Sequence, residues 1–211
     1  RHQDRLHARL EAGHEEPGVQ DTDAAAIARE VAAVVDRLAS ERGLAFTLEP
    51  GETMQVTGPN GTGKSSLIRI LAGLLRPLSG GVEREGAVAL LDERPALDGN
   101  LPLAKALAFW TRLDRGHPPV GWLALDGLLD VPVRYLSTGQ RKRAALARMA
   151  GQGAPIWLLD EPLNGLDREA VSLCEALVAE HCAAGGIALI ASHQPFAVGG
   201  LRTLALADFA A

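Results

Sequence analysis

Gly58-Pro59-Asn60-Gly61-Thr62-Gly63-Lys64-Ser65 fits the spacing G-x-x-x-x-G-K-[ST], with a second hydroxyl following at Ser66. Met54 and Val56 alternate just ahead of it, as in a strand, and Ser65 to Leu75 runs on as a helix. Strand, glycine loop and helix in that order are what a phosphate cradle requires. The glycines let the backbone turn tightly enough to aim its N–H groups at an anion. The helix N-terminus adds about half a positive charge to the same spot. Lys64 would meet the outer phosphates as a point charge, and the Ser65 hydroxyl would sit on Mg²⁺. The stretch predicts a nucleoside triphosphate site rather than a glycine-rich surface turn.

On either side of this loop the chain reads as α/β. Leu44 to Leu48 alternates like a strand and meets the turn signal Glu49-Pro50-Gly51, and Thr53 to Thr57 returns as a second strand. Arg76 to Gly81 breaks the chain, and Ala87 to Leu91 reads as a buried strand. Helical spacing runs from about Pro102 to Leu129 (Leu103, Leu107, Trp110, Leu113, then Leu125, Leu128, Leu129), interrupted by Gly116-His117-Pro118-Pro119. The wholly apolar Ile156 to Leu159 and Ile187 to Ala191 suit strands of a parallel sheet covered on both faces. An amphipathic helix from Asp167 to Ala183 lies between them. The expected architecture is a mostly parallel sheet with antiparallel strands near the N-terminus and a short helical subdomain at about 95–150. Residues 1–23 are expected to form a polar, disordered tail carrying one short helical stretch at Leu6 and Leu10, ahead of a single domain over 24–211. His2, His7 and His14 in that tail are loosely spaced, with no cysteine to support a metal site. The opening on Arg1 instead of Met points to a trimmed or shifted start.

With 211 residues, 47% apolar and 22% charged, the chain is long enough to bury one sizeable core. A net charge of −5 and a pI near 5.7 argue against nucleic acid as a partner, since phosphate-backbone binding requires a basic footprint. No apolar run reaches the roughly 18–20 residues that span a bilayer, so work at a membrane needs partners that do the spanning. Cys174 and Cys182 lie about two helical turns apart, too far for a disulfide, and read as buried free thiols. No C-x-x-C-H is present, which excludes covalent haem attachment as an activity of the chain.

Four more motifs follow in order. Leu136-Ser137-Thr138-Gly139-Gln140 opens a helix, and Leu158-Leu159-Asp160-Glu161-Pro162 ends a strand. Asn164-Gly165-Leu166-Asp167 comes directly after, and Ser192-His193 closes the last core strand. Together with the phosphate loop, this series resembles the ATPase subunits of ABC (ATP-binding cassette) transporters, P-loop NTPases, from about residue 27 onward. An acidic residue at the carboxyl end of a buried strand beside the loop is where Mg²⁺ must be held, which points to Asp160 alongside Ser65. Glu161 then points elsewhere, towards the γ-phosphate, where it can orient or deprotonate the attacking water. His193 ends the last core strand and can contact the same phosphate. The expected catalytic set is Glu161, His193 and Lys64, with ATP held on Gly58 to Ser66. The resemblance implies that Leu136 to Gln140 caps the nucleotide of a second, head-to-tail copy, and that Asn164 to Asp167 couples the two sites across the dyad. Ser137 and Gly139 open a helix, a second ready-made anion site, which gives that homodimeric sandwich a physical purpose.

Trp157 ahead of Asp160-Glu161, Gly185-Gly186, Gln194-Pro195 and the run Gln140 to Arg148 resemble the ATP-binding subunits of the haem exporters of cytochrome c maturation (the Ccm system). That resemblance implies a peripheral subunit at the cytoplasmic face of the inner membrane, docked on integral-membrane transporter subunits. Hydrolysis would be tied to release of a haem-loaded chaperone, with no direct haem binding by this chain. The alternatives are the ATPase of another small ABC transporter and a soluble ABC-type ATP switch. The switch needs a long coiled coil or two cassettes, and the sequence has neither. Two features depart from the family. No Gln stands between Gln55 and Gln140, so Glu93 or Arg94 takes the place of the glutamine that usually touches Mg²⁺ and the attacking water. No aromatic stands between Asp23 and Gly43 to stack on adenine, a contact worth roughly 1–3 kcal/mol. Weaker ATP binding and poorer discrimination against GTP are therefore expected.

Overall fold

The computed structural model describes residues 5–10, 44–77, 80–114 and 116–209. Its strands are β1 (Arg5–Leu10), β2 (Leu44–Leu48), β3 (Thr53–Thr57), β4 (Gly81–Glu85), β5 (Val88–Leu91), β6 (Ile156–Asp160), β7 (Ile187–Ala191) and β8 (Arg202–Ala205). The helices are α1 (Lys64–Leu71), α2 (Leu103–Asp114), α3 (Thr138–Ala150) and α4 (Arg168–Ala183). Five strands form a parallel sheet in the order β5-β6-β7-β3-β8, and three form an antiparallel sheet in the order β2-β1-β4.

The central strands explain the layering. Along β6, Ile156 and Leu158 join one core while Trp157 and Leu159 join the other; β7 divides in the same way, Ile187 and Leu189 against Ala188 and Ile190. A strand buried on both faces must be apolar at every position, which is what these two segments are. One face is covered by α1 and the antiparallel sheet, the other by α3, α4 and the segment around α2. Trp157 stacks face to face on His181 of α4, with ring centroids 3.8 Å apart. Burial lowers the His181 pKa, while its Nε2 lies against the carbonyls of Pro155 and Ile187. Cys174 and Cys182 are free and buried as expected, and burial pushes the Cys174 thiol up to about 12.

Three expectations are corrected. Arg5–Leu10 is a strand at the centre of the antiparallel sheet, not a tail with a helical turn, and it buries Leu6 and Ala8 completely. The remainder of the expected tail, the boundary at residue 24 and the stretch lacking an aromatic all lie outside the described residues. The turn at Glu49–Gly51 does not close a hairpin: β2 pairs with β1, and the chain crosses into the parallel sheet at β3. Arg202 braces that crossing by donating to the Thr47 carbonyl at 3.1 Å and the Glu52 carboxylate at 3.0 Å.

The third correction concerns Leu125, Leu128 and Leu129. They lie in turns with a single short 3₁₀ segment, Asp126–Leu128, rather than in a second helix. Pro118 and Pro119 have no N–H to donate, Gly121 and Gly127 weaken a helix, and Ala124 takes φ +50°. Leu123 and Leu125 are nonetheless fully buried, so the apolar spacing serves the core without a helix.

Leu6 tests the first correction. Its truncation to Ala should destabilise the fold by about 2–5 kcal/mol, as for other buried leucines. An unchanged denaturation midpoint would show that the strand is not held.

Candidate active site

In the parallel sheet β7 lies between β6 and β3. The phosphate loop follows β3, Asp160 and Glu161 end β6, and Ser192 and His193 follow β7, so three motifs distant in sequence meet at one carboxyl edge. The loop enters α1 through Gly63 at φ 96°, a conformation that residues with a Cβ rarely hold. Lys64, only 6% exposed, folds back to donate to the carbonyls of Gly58 at 2.7 Å and Pro59 at 3.1 Å. Thr62 Oγ1 also donates to the Pro59 carbonyl, at 2.8 Å. Pro59, Asn60 and Gly61 face solvent, while Lys64 and Ser66 are buried.

Ser65 Oγ donates to Asp160 Oδ1 at 3.0 Å. Burial raises the Asp160 pKa, and the Ser65 hydrogen bond opposes that shift. Two hard oxygens side by side, one on a helix and one on a strand end, form the kind of donor set that Mg²⁺ takes. The residues present therefore fit the ion.

Glu161 turns away from its neighbour through a left-handed backbone, φ +46°. Its N–H donates to the Ala191 carbonyl at 2.8 Å, and its own carbonyl accepts from Lys142 Nζ at 3.1 Å. Its carboxylate, 14% exposed, has Oε2 2.9 Å from His193 Nδ1 and accepting from Ser192 Oγ at 3.3 Å, with Oε1 4.0 Å from Lys64 Nζ. Glu161, His193 and Lys64 are thus brought together with Ser65 and Asp160.

The motif Leu136 to Gln140 stands outside that hydrogen-bonded set. Ser137 caps α3 in a reciprocal box with Gln140: Gln140 N–H donates to Ser137 Oγ, and Ser137 N–H to Gln140 Oε1 at 2.8 Å. A Cβ on Gly139 would lie 3.0 Å from the Gly165 carbonyl, so this loop and the Asn164–Asp167 loop touch within one chain. Leu166 packs on the core, and Asp167 caps α4 by accepting from the Ala170 N–H at 2.8 Å.

Three residues make contacts at the site for which the sequence reading named no role. Gln55, buried in β3, donates from Nε2 to the carbonyls of Gln194 at 2.6 Å and Ser192 at 3.4 Å, either side of His193. Gln194 Nε2 donates in turn to Asn164 Oδ1 at 3.1 Å. A large amide between the buried Met54 and Val56 was the available signal for Gln55. Lys142 is the third. Burial lowers its pKa, and Asp160, Glu93 and Asp92 oppose that. Glu93 shares with Lys142 and Thr138 a cleft of about 330 Å³, whereas Arg94 lines another of about 280 Å³ with Arg148 and Gln152.

A model of the ABC transporter family matches residues 42–164. The Cytochrome c biogenesis ATP-binding export protein CcmA of Novosphingobium aromaticivorans is 61% identical over 168 residues, spanning 80% of this chain and 88% of that protein. Its namesake from Sphingopyxis alaskensis is 52% identical over 176 residues, spanning 81% and 90%. A solved structure from Pyrococcus furiosus, described as an ATP-binding protein of an ABC transporter, shares the fold at 20% identity. Its TM-score is 0.72, with 98% of this chain and 100% of that one covered. The match over the phosphate loop and both strand-end carboxylates, and relatives alike along most of their length, make this chain an ATP-binding member of the ABC transporter family.

Proposed function

We propose that the chain hydrolyses ATP as the energy-supplying subunit of a haem exporter complex in cytochrome c biogenesis. The observation that carries the chemistry is the meeting of Lys64, the Ser65–Asp160 pair and the Glu161–His193 pair at one sheet edge. Lys64 exchanges its loop carbonyls for the outer phosphates of ATP, which the backbone of Gly58 to Ser66 surrounds. Ser65 and Asp160 would hold Mg²⁺, which when bound offsets phosphate charge. Glu161 orients the attacking water and takes its proton, and His193 holds the Glu161 carboxylate and reaches the γ-phosphate. Glu93 rather than Arg94 takes the place of the family's glutamine, since it alone shares a cleft with Lys142 and lies near enough to bias Asp160.

Residues 136–140 cap the nucleotide of a second copy in a head-to-tail sandwich, and 164–167 link the two sites. The contact between Gly139 and Gly165 supports treating these two loops as one unit. The helical subdomain is taken as about 95–150, and 24–211 as the ATPase domain. Among the described residues no helix is long and apolar enough to cross a membrane. In this reading integral-membrane subunits carry the spanning part, with this chain peripheral on the cytoplasmic face of the inner membrane. The haem assignment follows the names of the relatives in cytochrome c biogenesis. Hydrolysis then releases a haem-loaded chaperone, and the chain itself holds no haem.

The test is cellular. Cells carrying Lys64→Ala should lose mature c-type cytochromes while b-type haem proteins remain normal, read by haem staining and difference spectra. Normal c-type levels would assign the ATPase to a different transporter.

A further inference from the structure

We propose that Lys142 is a positioning residue for hydrolysis: its ammonium clamps the Glu161 carbonyl and so holds the left-handed turn that aims the Glu161 carboxylate. The inference rests on Glu161 being the hydrolytic base. Glu161 and Asp160 are consecutive but have different partners, Asp160 facing Ser65 and Glu161 facing His193. The separation depends on φ +46° at Glu161, which a residue with a Cβ holds only when its surroundings fix it. On the N–H side the fixing bond comes from Ala191, at 2.8 Å, as a continuation of the sheet. On the carbonyl side the shorter contact is Lys142 Nζ at 3.1 Å, beside a longer one from the Asn164 N–H at 3.4 Å.

The chemistry around Lys142 fits this task. Its neighbour Arg143 is occupied elsewhere, donating to the carbonyls of Leu123 and Ala124. Lys142 instead turns its charge inward, where Asp160, Glu93 and Asp92 compensate an ammonium that burial would otherwise disfavour. It also belongs to α3, whose first residues are the ones proposed to meet the nucleotide of the second copy. One side chain thereby ties the placement of that helix to the backbone of the base in its own subunit.

The test measures ATP turnover by the full chain with its membrane partners, for Lys142→Met and Lys142→Arg, each with Glu161 intact and with Glu161→Gln. Lys142→Met should lower kcat about 10- to 100-fold, the size expected for a misplaced catalytic group. KM for ATP should stay within about twofold, because the phosphate loop is untouched. Lys142→Arg, which keeps a charged donor, should restore most of the rate. With Glu161→Gln, the Met substitution should change little, since the group it positions is already gone. Equal losses in both backgrounds, or a rise in KM that accounts for the loss, would overturn the clamp. Should Lys142→Met fold poorly, Lys142→Gln at a matched melting temperature should still show faster amide exchange over 161–164, and unchanged exchange would likewise overturn it. Normal turnover by Glu161→Gln alone would instead defeat the assignment of the base, a separately visible failure.

Discussion

Glu161→Gln is expected to bind ATP normally and to hydrolyse it about 10²–10⁴-fold more slowly, the usual contribution of a positioned base. The substitution is nearly isosteric, so the 2.9 Å contact with His193 and the backbone bonds to Ala191 and Lys142 keep partners. What is lost is the capacity to take a proton from water. Because hydrolysis is the step that reopens a sandwich closed over ATP, the variant should also accumulate as a dimer. Size exclusion with Mg-ATP gives the answer directly. A strictly monomeric variant with normal turnover contradicts both the base and the sandwich.

Lys64→Ala acts earlier, on binding. A hydrogen bond to a charged group is worth about 1.5–3 kcal/mol, which is roughly a tenfold to hundredfold loss of affinity. The present structure sharpens that expectation. Lys64 is buried and makes two bonds to the loop carbonyls of Gly58 and Pro59, so its removal also loosens the cradle itself. Calorimetry on folded protein measures the effect, and an unchanged affinity would end the assignment of the nucleotide site.

Much of this site was legible because its parts are tied to signals the sequence carries openly. Glycines mark a loop that needs positive φ, four apolar residues announce a covered strand before Asp160, and Asp167 marks the cap from which α4 starts. The rest has no such signal. A left-handed residue such as Glu161 differs in no compositional way from an ordinary one. Lys142 lies in the run Gln140 to Arg148, which carries a family resemblance but singles out no contact for this lysine. β1 was missed because Leu6 and Leu10 satisfy a helical period as well as the strand alternation through Ala8, and six residues cannot separate the two. β4 and β8 are edge strands with little buried surface, so they lack the apolar pattern that betrays β6 and β7. The leucines after Pro119 show that apolar spacing reports burial first and helix only second.

The place of β1 between β2 and β4 has a consequence for synthesis. Arg5–Leu10 leaves the ribosome well ahead of both strands that cover it. At about 5–20 residues per second, the roughly 75 residues that separate it from β4 take about 4–15 s to make. Until β2 has emerged both edges of the strand are open to other chains, and until β4 follows one edge still is, so Leu6 and Ala8 have no completed sheet to enter. Closure of this layer is therefore a late event in the growing polypeptide, and the nascent chain is exposed to chaperones and to mispairing at Arg5–Leu10 until Glu85 has emerged.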